Sequence, residues 1–157
     1  MIRLEPMKAA EFDSLIEQSI AEYAEEQARS GNWTREEAPD KAAQSFKGLL
    51  PNGLDTDGQH VLRIANSDGQ TVGTLWYMER QGSAVPSVFI CELRILEPFR
   101  RRGYATAAMR ALEKHTRREH DAQRIVLHTF AHNQAARKLY TSLAYRETNV
   151  TMAKDLD

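Results

Sequence analysis

At 157 residues the chain can bury one continuous core without metal or disulfide staples and leaves little room for a second, so one domain over 1–157 is expected. Apolar residues make up 41% and charged residues 27%, a profile that excludes a disordered or fibrous chain, and a net charge of −1 argues against a general nucleic-acid binder. The single cysteine, Cys91, excludes an internal disulfide; it reads as a packing residue in a chain suited to a reducing cytoplasm.

The opening M-I-R-L-E-P-M-K is broken by charges and by Pro6, so it lacks the apolar core of a signal peptide, and no window approaches the roughly twenty apolar residues that cross a bilayer. No membrane partner is expected. Residues 2–5 read as a short strand. From Lys8 to Arg29, Phe12, Leu15, Ile16, Ile20 and Tyr23 recur at helical spacing until Gly31 stops the pattern. Thr34, followed by Glu36 and Glu37, can start a second helix running to about Leu50. His60 to Ala65 and Thr71 to Glu79 read as antiparallel strands joined through the Asp-Gly of N-S-D-G-Q, and Ser87 to Leu96 as a third strand. A helix from Tyr104 to His120, a strand from Arg124 to Phe130, a helix from Asn133 to Leu143 and a last strand from Tyr145 to Ala153 complete the order. This β-α-α-β-β-β-α-β-α-β sequence of elements predicts an α+β fold with a mixed central sheet flanked by helices.

Two stretches carry chemistry. Arg100 to Thr106 reads R-R-R-G-Y-A-T between an apolar strand and a helix, where unpaired amides and the positive dipole end can hold a phosphate and Gly103 lets it come close. A solvated basic helix entrance would use the same residues. In N-Q-A-A-R-K-L-Y-T-S-L-A-Y, at about 100° per residue, Asn133, Ala136, Arg137 and Tyr140 share one face, beside an apolar stripe of Ala135, Leu139 and Leu143.

The pair, Arg100, Gly103 and Ala105 followed by Asn133, Ala136, Leu139, Tyr140, Ala144 and Tyr145, resembles the GNAT superfamily of acetyl-CoA-dependent N-acetyltransferases. The order of elements matches that fold, a mostly antiparallel mixed sheet, over nearly the whole chain. The segments W-T-R-E-E-A-P-D and L-L-P-N-G-L-D-T-D-G-Q-H are similar to those of bacterial members of unassigned substrate. The resemblance implies that acetyl-CoA donates the acetyl group to a primary amine in a ternary complex. It implies that Leu93 and Ile95 offer backbone groups to the pantetheine arm, and that amides of Arg101, Arg102, Gly103, Tyr104, Ala105 and Thr106 hold the pyrophosphate, with Arg100 adding charge. Asn133 would contact the amide-bearing arm or cap its helix, and Tyr140 would protonate the departing thiolate. Ala105 stands where the pattern often has Gly, and Pro98 lies one place later than the usual loop proline. Family members are often dimers, but nothing in this sequence fixes an interface.

The acceptor amine also needs a base. Glu92 is first, on the strand face opposite Cys91 and Leu93, with an ion-paired role as its alternative; His128 is second, and Glu79 and His132 trail. No nucleophile elbow occurs and no Cys-His metal spacing is present, so no metal is expected. The alternative to an enzyme is an acyl-CoA-binding regulatory module that needs neither Tyr140 nor a base. The identity of the amine, and whether other acyl-CoAs serve, are not readable from these residues.

Overall fold

The longest strand, Thr71–Arg80, is buried from Val72 to Tyr77 because helices cover both faces of the sheet it runs through. A strand covered on both sides reads as a continuous apolar run rather than an alternation. In this computed structural model, which describes residues 1–157, the elements are β1 (Arg3–Pro6), α1 (Ala9–Arg29), α2 (Ala38–Leu49), β2 (Gln59–Ala65), β3 (Thr71–Arg80), β4 (Ser87–Ile95), α3 (Tyr104–His120), β5 (Arg124–Leu127) and α4 (Gln134–Ser142). Single 3-10 turns lie at Gly53–Asp55 and Glu97–Phe99. No helix is long and apolar enough to cross a membrane.

The sheet runs β1-β2-β3-β4-β5, antiparallel until β4, which pairs parallel with β5 through the α3 crossover. One face carries Leu62, Ile64, Leu75 and Tyr77 against Met109 and Leu112 of α3. The other carries Val61 and Trp76 against Phe12, Leu15 and Ile16 of α1 and Phe46 of α2. Ala24 of α1 meets Ala38 and Ala42 of α2, small residues that let the two helices approach closely. The start of α2 is fixed as its sequence suggests: Glu37 N–H donates to Thr34 Oγ1 (3.3 Å), and Thr34 N–H donates to Glu37 Oε1 (3.0 Å). This reciprocal pair is a capping box, although regular helix begins only at Ala38.

Two features position the site. Gly73 lies against β4 so tightly that a Cβ there would sit 2.2 Å from the Arg94 carbonyl oxygen. Three residues further along, the β3–β4 register slips: Tyr77 pairs with Ile90 and Trp76 with Glu92, leaving Cys91 as the extra residue of a bulge.

The expected strand from Tyr145 to Ala153 does not form. No strand follows α4, and Val150, Met152 and Leu156 are exposed at 69%, 89% and 85%. Alternation reports which side chains could share a face; it does not supply the neighbouring strand that must accept the backbone. The fifth strand likewise stops at Leu127 rather than Phe130, because β4 turns away at its bulge and the ladder ends at Ile90–Leu127.

Candidate active site

The bulge makes the site. Beyond Ile90 and Leu127 the two parallel strands separate, and Cys91–Ile95 faces the gap with no strand on that side. The bulge also resets the alternation of β4. Cys91 packs with Trp76 on the helix α1 and α2 side, and Glu92, opposite Trp76, reaches Ser19 of α1. Glu92 and Cys91 therefore share a face, contrary to the expectation from simple alternation, while Leu93 and Ile95 pack on the α3 side with Phe99, Tyr104, Tyr140 and Tyr145.

The turn after β4 is built to present amides. Arg101 adopts φ 62° and Gly103 φ 80°, left-handed conformations that are natural for glycine and strained for arginine. Gly103 is the residue before α3 and caps it with no side chain. The backbone bonds of this stretch are Arg100 N–H to the Glu97 carbonyl and Ala107 N–H to the Gly103 carbonyl, and between them the amides of Arg101 through Thr106 have no carbonyl partner. Consecutive free N–H groups at a helix start form an anion cradle. Two of the arginine side chains are occupied locally: Arg100 Nε donates to the Ile95 carbonyl (2.9 Å), and the Arg102 guanidinium lies 6.0 Å from the Phe99 ring centre. The backbone, more than the three guanidinium groups, is what this turn offers.

Helix α4 sits across the gap. Asn133 accepts a hydrogen bond from Ala136 N–H (3.1 Å), so its carbonyl oxygen caps the helix and its amide NH2 stays free to donate. At the other end, Ala144 takes φ 67°, with Ala144 N–H bonded to Thr141 O (3.0 Å) and Tyr145 N–H to Tyr140 O (2.9 Å), a Schellman ending. That ending turns the Tyr145 ring to 5.8 Å from Tyr140. Burial pushes the Tyr140 hydroxyl up to about 12, so it holds its proton across the neutral range. Ala135, expected in the apolar stripe, is exposed, whereas Leu139 and Leu143 are half-buried as expected. Arg137 pairs with Glu147 (2.8 Å), and Lys138 is solvated.

On the α1 side, Arg94 is buried to 5% exposure and gathers four partners: Gln18 Oε1 (3.1 Å), Ser19 Oγ (3.0 Å), Glu22 Oε2 (3.2 Å) and Glu92 Oε1 (3.4 Å). Ser19 Oγ donates to Glu92 Oε2 (2.9 Å). Burial raises the Glu92 carboxyl pKa against the opposing pull of Arg94 and Ser19. Arg94 and Ser19 were not among the site residues expected from the sequence, and Glu22 was expected only as one of the acids on the first two helices that would suit a cationic amine. The signal was available: Glu92 and Arg94 stand two apart on a strand, hence on one face, inside an otherwise apolar run.

The remaining base candidates separate. His132 pairs with Glu26 of α1, and its ring stacks on Phe130 (5.5 Å, 16°). His128 is exposed just past β5, edge-on to Phe130 at 5.0 Å. Glu79 lies opposite Val88 at the far end of β3, about 20 Å along the sheet from Ile95 at about 3.3 Å per residue, and takes no part in this constellation. Glu22 and Glu26, four apart, put two carboxylates on the α1 face toward the gap. A surface groove of about 320 Å3 between α1 and α2 is lined by Ala21, Ala24 and Ala28 and opens on another face of α1.

Residues 17–145 match the acetyltransferase (GNAT) family. Two proteins of Bacillus subtilis (strain 168) are similar over their full length: the uncharacterized N-acetyltransferase YycN, 37% identical with 99% of each chain covered, and the uncharacterized N-acetyltransferase YdgE, 35% identical with 98% of this chain and 97% of that one covered. The crystal structure of YycN, a putative acetyltransferase, superposes with a TM-score of 0.95 over 99% of both chains. A more distant structure, AAC(6')-Iy in complex with the bisubstrate analogue CoA-S-monomethyl-acetylneamine, shares the fold at 16% identity and a TM-score of 0.62, with 100% of this chain and 99% of that one covered. These matches set aside the non-catalytic alternative: the chain belongs to the GNAT family and is an acetyltransferase.

Proposed function

We propose that this enzyme transfers acetyl from acetyl-CoA to the primary amine of a cationic acceptor by direct attack in a ternary complex. The observation that carries the donor side is the run of unpartnered amides from Arg101 to Thr106 beside the free edge of β4. The pyrophosphate fits that cradle, and the pantetheine arm can bond to the backbone at Leu93 and Ile95 like an added strand. The Asn133 amide is a further donor toward the arm.

The chemistry needs a proton taken and a proton given. The amine nitrogen attacks the thioester carbonyl, the C–S bond breaks, and the thiolate receives the Tyr140 phenolic proton. Glu92 takes the proton lost by the amine, directly or through one water. Its raised pKa supports this role, and Ser19 and Arg94 leave lone-pair sites on its carboxylate. The reaction thus requires positioning, one acid and one base, with no covalent enzyme intermediate. Glu22 and Glu26 on α1 support a positively charged acceptor. The bound analogue of AAC(6')-Iy, which joins CoA to an acetylated neamine, is consistent with an amine reaching the donor in this fold.

The test is calorimetric titration with acetyl-CoA, followed by a panel of mono- and polyamines read by CoA release. Saturable acetyl-CoA binding with acceptor-dependent release of CoA is expected. Absence of binding at millimolar acetyl-CoA would overturn the assignment of the donor; release unaffected by acceptor charge would overturn that of the acceptor.

A further inference from the structure

At the opposite end of α3 from the phosphate turn, about 25 Å away at 1.5 Å per residue, the fold gathers a second polar cluster that acetyl transfer does not use. His60 comes from the start of β2, Tyr77 and Glu79 from the end of β3, and His115 and His120 from the last turns of α3. Glu79 Oε1 lies 2.8 Å from His60 Nε2 and 3.5 Å from His120 Nδ1, and one ligand atom from each of the three residues falls within 4.8 Å of the other two. We propose that His60, Glu79 and His120 form a binding site for a divalent transition-metal ion of the zinc type.

The donor set suits that chemistry. Two imidazoles and one carboxylate are ligands for a borderline ion, and bonds of about 2.0–2.2 Å to a central metal span donor separations of this size after small side-chain shifts. Tyr77 holds both rings. Its buried hydroxyl lies 3.0 Å from His120 Nε2, which leaves Nδ1 aimed at Glu79, and the His60 ring stacks on it at 4.7 Å and 15°. His115 Nε2, 3.1 Å from the same hydroxyl, orients the phenol in turn. An outer group that fixes the ring of a ligand histidine in this way is a regular part of metal sites. Side-chain exposures of 32%, 36% and 20% for His60, Glu79 and His120 leave an entry path and room for a water ligand. The expectation of no metal came from spacing along the chain; these ligands come from three elements, so no spacing motif could mark them. An ion here clips the C-terminal end of α3 to the β2–β3 pair and stands apart from the acetyl-CoA site.

The experiment uses untagged full-length protein, stripped with a chelator, dialysed and titrated calorimetrically with zinc chloride. One equivalent is expected, with a rise in Tm, and the cobalt-loaded protein should show visible d–d absorption of a low-coordinate site. His60→Ala, His120→Ala and Glu79→Gln should each abolish stoichiometric uptake. Tyr77→Phe, which keeps the packing, should weaken binding by about ten- to a hundredfold. Circular dichroism and acetyl-CoA titration of each variant check the fold, and Glu79→Gln, a same-size change at a partly exposed position, keeps the test decisive if a histidine variant fails to fold. Uptake well below one equivalent by the parent, or undiminished uptake in the folded variants, would overturn the site and leave a hydrogen-bonded His-Glu cluster.

Discussion

At Tyr140 packing and the proposed chemistry make the same demand. Burial beside Leu143 and Tyr145 raises its pKa to about 12, which keeps the phenol protonated, as donation to the thiolate in the proposed mechanism requires. Tyr140→Phe removes only the hydroxyl that carries that proton. Steady-state kinetics should show turnover lowered about tenfold or more with acetyl-CoA affinity unchanged, the usual scale for a lost general acid; unchanged turnover would remove Tyr140 from the mechanism. Glu92 yields a pH prediction. Its folded pKa is raised above the ordinary 4.5, chiefly by burial, so the native state binds this proton more tightly than the unfolded chain does. The contribution is complete below the unfolded value and is lost as pH rises through the folded one, which makes the stability slope negative across that window. Urea denaturation of parent and Glu92→Gln from pH 4.5 upward should show the parent losing stability more steeply; parallel curves would mean an unshifted carboxyl.

Strand β4 depends on a residue it does not contain. Gly73 of β3 admits the Arg94 carbonyl where a methyl would sit 2.2 Å away, and backbone cannot yield as a side-chain tip can. Gly73→Ala should destabilise the fold by about 1–3 kcal/mol in denaturant titration and weaken acetyl-CoA binding, because Ile95 and the following turn move with Arg94. A neutral effect on both would show that β4 adjusts freely. The elements themselves were largely legible: α1, α3, β2, β3 and the capping box at Thr34 are written in apolar periodicity and in local side-chain to backbone bonds. The Arg100–Thr106 turn and its partner helix were legible as motifs. The bulge at Cys91 was not, since one extra residue in a ladder depends on its neighbour strand, and the face of Glu92 was misread with it. The last strand failed for a related reason: its pattern was present and its partner was not. The His60–Glu79–His120 cluster and the pairing of Arg94 with Glu22 are tertiary facts, joining residues that no local spacing relates, whereas the Glu92–Arg94 pair was marked by its two-residue spacing on β4.

Across the whole molecule, the proposed donor and acceptor sides fall on different parts of one sheet. The Arg100–Thr106 turn and Tyr140 belong to the face covered by α3, the Glu92–Arg94–Glu22 network to the face covered by α1, and only the gap between β4 and β5 joins them. A ligand seated in that gap as proposed would bond to β4 and to the start of α3, elements whose loss amounts to loss of the core, so its binding energy should appear as global stability rather than as ordering of one loop. At about a hundred times its Kd, acetyl-CoA should add about 2.7 kcal/mol. For a chain of this length, with Tm moving roughly 2–4 °C per kcal/mol, the shift is about 5–11 °C. Free CoA, with the same pyrophosphate and pantetheine groups, should shift Tm nearly as far, and inorganic pyrophosphate much less, since it reaches the turn but not the strand. Differential scanning fluorimetry with the three ligands separates the contributions: equal shifts from pyrophosphate and acetyl-CoA would mean that the turn alone binds, and no role for the free edge of β4 would remain.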